Sequence, residues 1–153
     1  MRQIWTLAVA SFVLLAASGA YAQGAGVRAG VSGDPTQFYG GAHYESSDIA
    51  DHLRFRPNFE VGVGDDVTLF AFNVEFIYRI PLQRRRQPSE WTLYLGGGPA
   101  LNLYHRSDDT DPGGGLNFLV GLQHVKGLFV EMKVGALDSP GFKVGAGYTF
   151  FRR

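Results

Sequence analysis

The sequence predicts an all-β chain, an eight-stranded antiparallel up-and-down transmembrane β-barrel, and three observations carry that prediction. Apolar residues recur at every second position in eight segments. The positions between them hold charge and glycine together, and turn-forming clusters separate the segments. A strand places successive side chains on opposite faces, so this alternation marks a sheet lying between an apolar and a polar environment.

The chain opens with a stretch set apart from this pattern. Arg2 precedes an apolar run from Ile4 to Ala17, and Ala20-Tyr21-Ala22 offers small residues at both positions read by signal peptidase. These features predict a secretory signal peptide over residues 1–22, with residues 23–153 as one β-barrel domain. The run is short for a helix of ~20 residues that would anchor the chain in a membrane. No Cys occurs, which excludes a lipoprotein anchor, a disulfide and any thiolate metal site or nucleophile. After Ala22 there are 13 Lys and Arg against 14 Asp and Glu, so charge offers no case for nucleic acid as a partner.

The first strand alternates Val27, Ala29 and Val31 with Arg28, Gly30 and Ser32. The second sets Phe38, Gly40, Ala42 and Tyr44 against Tyr39, Gly41, His43 and Glu45. In the third, Phe55, Phe59, Val61 and Val63 oppose Arg54, Arg56, Asn58 and Glu60. The fourth is the clearest: Phe70, Phe72, Val74, Phe76, Tyr78, Ile80 and Leu82 form one unbroken apolar face opposite Asn73, Glu75 and Arg79. Trp91, Leu93, Leu95, Leu101 and Leu103 mark the fifth strand, with Tyr94, Gly96, Gly98 and Asn102 opposite. The sixth sets Leu116, Phe118, Val120 and Leu122 against Asn117, Gly121 and Gln123. In the seventh, Leu128, Val130, Met132 and Val134 oppose Glu131, Lys133 and Gly135. The last alternates Phe142, Val144, Ala146, Tyr148 and Phe150 with Lys143, Gly145, Gly147 and Thr149.

Turns are expected at Gly33-Asp34-Pro35, Gly64-Asp65-Asp66, Gln87-Pro88-Ser89, Asp111-Pro112-Gly113, Lys126-Gly127 and Asp138-Ser139-Pro140-Gly141. Eight strands joined this way can close into a barrel without exposed edges.

Alternation alone leaves open which face points inward. Glycine after Ala22 is about twice as frequent as usual, and Gly30, Gly41, Gly62, Gly64, Gly96, Gly98, Gly121, Gly135, Gly145 and Gly147 lie largely on the charged face. A solvated outer face gains nothing from Gly, whereas the narrow lumen of an eight-stranded barrel needs small residues beside large ones. The apolar faces carry no charge, as lipid contact demands. Tyr44, Trp91, Tyr148 and Phe150 fall near strand ends, where interfacial aromatics gather. These features turn the charged face inward. A periplasmic lipid-binding calyx is the rival with the faces exchanged.

The segment Lys143-Val144-Gly145-Ala146-Gly147-Tyr148-Thr149-Phe150 resembles the C-terminal assembly signal of outer-membrane barrels. With the leader, strand count and mature length, the chain resembles the small outer-membrane β-barrel domain family, OmpA/OmpX-like and opacity-like proteins. That resemblance implies residence in the cell outer membrane after export. Its implied partners are outer-membrane lipids, including lipopolysaccharide, and the barrel assembly machinery acting on the C-terminal strand. It implies a monomer with no cofactor, and a non-catalytic structural or surface-interaction role in which segments such as Arg106 to Gly115 meet surface partners.

The inferred lumen holds Arg28, His43, Glu45, Arg54, Arg56, Glu60, Glu75, Arg79, Glu131, Lys133 and Lys143. Mixed charges in a confined space must pair, which predicts a plug of salt bridges in preference to a conduction path. Three other clusters carry chemistry-bearing side chains. His105-Arg106-Ser107 resembles the His/Ser pair of outer-membrane lipid A deacylases, an enzyme alternative in which His would activate the hydroxyl. Asp108 stands where that pattern has Asn, and the following strand offers no acid, so no catalytic residue is assigned. Asp108, Asp109 and Asp111 fall short of a calcium ligand set, so no metal site is assigned. Arg84-Arg85-Arg86, between the fourth and fifth strands, is read as a solvated run on the periplasmic side, although Arg forks suit lipid phosphates.

Overall fold

The computed structural model describes residues 23–64, 66–84 and 87–151. The expected leader over residues 1–22 lies outside the described residues, as do Asp65, Arg85, Arg86, Arg152 and Arg153. Nine strands follow in chain order: β1 (Gly24–Gly33), β2 (Gln37–Glu45), β3 (Asp48–Ala50), β4 (Leu53–Val63), β5 (Thr68–Arg84), β6 (Gln87–Arg106), β7 (Asp109–His124), β8 (Leu128–Leu137) and β9 (Phe142–Phe151). All pair antiparallel, and every barrel strand has two neighbours within the ring. The first-to-last pairing of β1 with β9, from Gly24↔Phe151 to Gly33↔Phe142, closes the ring, so β1, β2 and β4 to β9 form the expected eight-stranded barrel. The short β3 was not legible in the sequence. It pairs only with the start of β4 and bridges β2 to β4 outside the ring.

The alternation sets the faces as expected. On β4, Arg54, Arg56, Asn58 and Glu60 are buried while Phe59 and Val63 are exposed. On β8, Phe129, Glu131 and Lys133 are buried while Leu128, Val130, Met132 and Val134 are exposed. The apolar face therefore points outward and the charged face inward, opposite to the arrangement a calyx requires.

Most turns fall where expected. Gly127 ends the β7–β8 turn at φ 104°, and its N–H donates to the His124 carbonyl at 2.8 Å. Only glycine holds that conformation without strain. Two expected breaks are corrections. Gln87-Pro88-Ser89 lies within β6, with Gln87 and Pro88 paired with Arg84 and Gln83. Asp111-Pro112-Gly113 lies within β7, paired with Tyr104, Leu103 and Asn102. The chain reverses earlier, at Ser107-Asp108, with Ser107 at φ 43° and Arg106 opposite Asp109. Pro112 is tolerated because β8 joins β7 only from Gly115 onward, so Pro112 sits on a free edge where no N–H is required. Arg106 to Gly115 is thus the tip and one arm of a projecting β6–β7 hairpin.

Glu90 and Lys126 lie at the same end of the barrel as Gly24 and Phe151, as do the paired Arg84 and Gln87. The turns at 34–36, 107–108 and 138–141 lie at the other end.

Candidate functional site

The lumen is where chemistry-bearing side chains converge. Of the charged residues expected there, all are buried except Arg79, which is partly exposed. Three carboxylates organise the centre. Glu131 on β8 accepts from Arg56 Nη2 at 2.6 Å, Tyr94 Oη at 2.9 Å and Arg28 Nη1 at 3.0 Å. Glu75 on β5 accepts from Lys133 Nζ at 2.6 Å and from Arg56 Nη2 at 3.1 Å. Glu60 on β4 accepts from Lys143 Nζ at 2.6 Å, Lys133 Nζ at 2.9 Å and Arg28 Nη1 at 3.3 Å. The network thereby ties six barrel strands across the lumen. Each contact is a charge-assisted hydrogen bond in a place water enters poorly, which makes the set strong and intolerant of a missing member.

Two smaller systems flank it. Towards the end that holds Gly24 and Phe151, Arg54 joins Glu45 at 2.7 Å and Asp48 at 2.6 Å, and Gln123 Nε2 donates to Glu45 at 3.1 Å. A ladder of amides runs from Asn117 to Asn73 at 2.7 Å and on to Asn58 at 2.8 Å. Asn117 on β7 reaches Asn73 on β5 because Gly98, its partner on the intervening β6, carries no side chain. Beside the ions, Ile77, Tyr94, Leu119 and Phe129 form a buried apolar cluster. Leu119, Phe129 and Ile77 were not expected inside. Their parity with Gln123, Glu131 and Glu75 was the available signal.

Glycine makes the dense filling possible. A Cβ on Gly121 would overlap Cζ and Oη of Tyr94, the ring that delivers its hydroxyl to Glu131. Gly121→Ala is expected to push that ring off the carboxylate and destabilise the barrel by about 1–3 kcal/mol, the usual cost of overpacking. A denaturant titration in detergent micelles checks it, and an unchanged midpoint would show that Tyr94 has room to move.

The structure does not assemble the other candidate clusters into sites. His105 is exposed, and its Nδ1 lies 2.9 Å from Thr110 Oγ1 across the β6–β7 hairpin. Ser107 occupies the hairpin tip, and no carboxylate among the described residues hydrogen-bonds His105. Asp111 lies 3.9 Å from Arg106 Nη1, both solvent-exposed. Among the described residues no group of three or more His, Asp or Glu side chains could hold a metal ion.

No family model matches the sequence, and no curated protein is recognisably similar to it. Solved structures are similar in three dimensions. Neisserial surface protein A, from Neisseria, aligns with a TM-score of 0.63 at 17% identity, over 84% of this chain and 96% of that one. This chain has the fold of a small outer-membrane β-barrel. The N-terminal β-barrel domain of OprF from Pseudomonas aeruginosa aligns with a TM-score of 0.62 at 14% identity, over 84% of this chain and 97% of that one. At such identities the likeness is one of architecture: a single barrel spanning nearly the whole of either neighbour.

Proposed function

We propose that the chain is a non-catalytic protein of the bacterial outer membrane whose barrel has a structural or surface-interaction role. The observation that carries this reading is the outer belt. Phe70, Phe72 and Phe76 on β5, Phe118, Val120 and Leu122 on β7, and Val130, Met132 and Val134 on β8 are all exposed. A soluble monomer rarely shows contiguous apolar surface on this scale. A closed barrel satisfies its backbone internally, which is what hydrocarbon demands of a spanning structure. The cross-linked lumen supports a brace in preference to a path for solutes.

On this reading the chain is exported and sits with its termini on the periplasmic side. The β6–β7 hairpin is then the longest projection at the outer end, and it supplies the surface for contacts. Lipids of the membrane, lipopolysaccharide among them, cover the belt. The assembly machinery recognises β9 through Lys143 to Phe150, and the barrel is monomeric. Cell fractionation tests the proposal. The protein should stay with outer membranes through a carbonate wash and migrate faster on gels when left unheated. Release by carbonate, or a freely soluble monomer, would overturn it.

A further inference from the structure

The lumen's ion network is unbalanced. Arg28, Arg56, Lys133 and Lys143 bring four cationic side chains against the three carboxylates of Glu60, Glu75 and Glu131. Every oxygen of those carboxylates already accepts at least one N–H or O–H. The neighbouring group of Glu45, Asp48, Arg54 and Arg79 has as many acids as cations, so it does not supply the missing negative charge.

The surplus is matched by unused donors. Nε and Nη2 of Arg28 and Nη1 of Arg56 are buried and have no hydrogen-bond partner among the described residues. Both guanidinium groups lie 5.5 Å from the centroid of the Phe129 ring. His43 packs edge-on to the same ring at 5.3 Å, and its Nδ1 is likewise without a partner. Arg28, Arg56 and His43 are all more than nine-tenths buried, at 4%, 0% and 5% exposure. Their strands, β1, β4 and β2, thus bring unsatisfied nitrogens to one side chain. Glycines seat the two rings: a Cβ on Gly26 would strike the His43 ring, and one on Gly147 the Phe129 ring.

We propose that the lumen beside Phe129 binds one small monovalent anion of the halide class, held by Arg28, Arg56 and His43. Water could satisfy a hydrogen bond here but would leave the extra positive charge uncompensated, and an unpaired buried charge is costly. A divalent anion overshoots a surplus of one. The His43 contact follows from its other nitrogen. Thr149 Oγ1 lies 2.9 Å from His43 Nε2 and 3.5 Å from Gln123 Nε2. A hydroxyl that accepts from Gln123 and donates to Nε2 leaves the imidazole proton on Nδ1, where it is a third donor. The anion completes the plug and needs no path through the barrel.

Crystals of the mature barrel in a nonionic detergent, soaked in sodium bromide, test this directly. An anomalous peak is expected beside Phe129, within about 3.5 Å of Arg28 Nη2 and Arg56 Nη1, a hydrogen-bonding separation widened for a large ion. A second measurement compares the unfolding midpoint in bromide and in gluconate at equal ionic strength. Bromide should raise it in the unaltered protein. Lys143→Met cancels the surplus without touching the proposed contacts, and should weaken the apparent bromide affinity by at least about tenfold. Absence of the peak, water in its place, or an unchanged bromide response in K143M overturns the proposal. The soak of the unaltered barrel decides the matter even if K143M does not fold.

Discussion

Glu131→Ala destabilises the barrel by about 3–5 kcal/mol, the cost of removing one partner from a buried ion pair. Its carboxylate lies within 3.0 Å of Arg28 and Arg56 nitrogens and 2.9 Å of the Tyr94 hydroxyl, and it is nearly fully buried. Alanine leaves two guanidinium groups without their nearest counter-charge in a place water reaches poorly. That loss is a large share of a typical total stability of about 5–15 kcal/mol. Urea unfolding followed by Trp91 fluorescence in micelles gives the number. Glu90→Ala is the control, because Glu90 is exposed and its contact with His124 at 3.4 Å is a surface one, expected to contribute only about 0–1 kcal/mol. Equal midpoints for the two variants would mean that the lumen network is not a brace.

Phe72→Arg acts from the opposite face and is expected to cost about 2–4 kcal/mol, the penalty for a cation on a barrel's lipid face near the bilayer midplane. Phe72 lies within β5 between Phe59 on β4 and Leu101 on β6, and is 45% exposed. Leu82→Arg makes the same chemical change where β5 has run past its pairing with β4, which ends at Tyr78. Near the interface that change should cost only about 0–1 kcal/mol. Refolding yield into lipid vesicles, read from heat-modifiable migration, ranks the two variants. A soluble protein would respond with the opposite sign, because an outward Arg replacing an exposed Phe improves its solubility. Better behaviour of F72R in plain buffer would therefore remove the membrane reading.

Both predictions rest on the same two-faced strands, and that property was legible from residue order. The unbroken series Phe70 to Leu82 fixed one face of β5, and its even spacing placed Asn73, Glu75 and Arg79 on the other. The charged lumen is legible for the same reason, since each member has the parity opposite to its strand's apolar series. Parity is hard to read where an apolar residue sits on the polar side. Leu69, Ile77, Leu119 and Phe129 are buried within the barrel, although hydrophobicity alone would place them in lipid. The β6–β7 turn was misplaced because Asp111-Pro112-Gly113 has stronger turn chemistry than Ser107-Asp108. An edge position makes that composition compatible with a strand.

Residue order by itself therefore determined the strands, their two faces and the inward set of charges. The physical reason is that alternation is local: a side chain's face depends only on its parity within its own strand. Tertiary structure alone decided which charge meets which. Arg28 and Glu131 are 103 positions apart, and Arg56 and Glu131 are 75 apart. Their meeting depends on the register of every ladder between them and on closure of β1 against β9. Closure also set the count that matters most inside, four cations against three carboxylates, by dividing the lumen's charges into a central network and a separate group at one end.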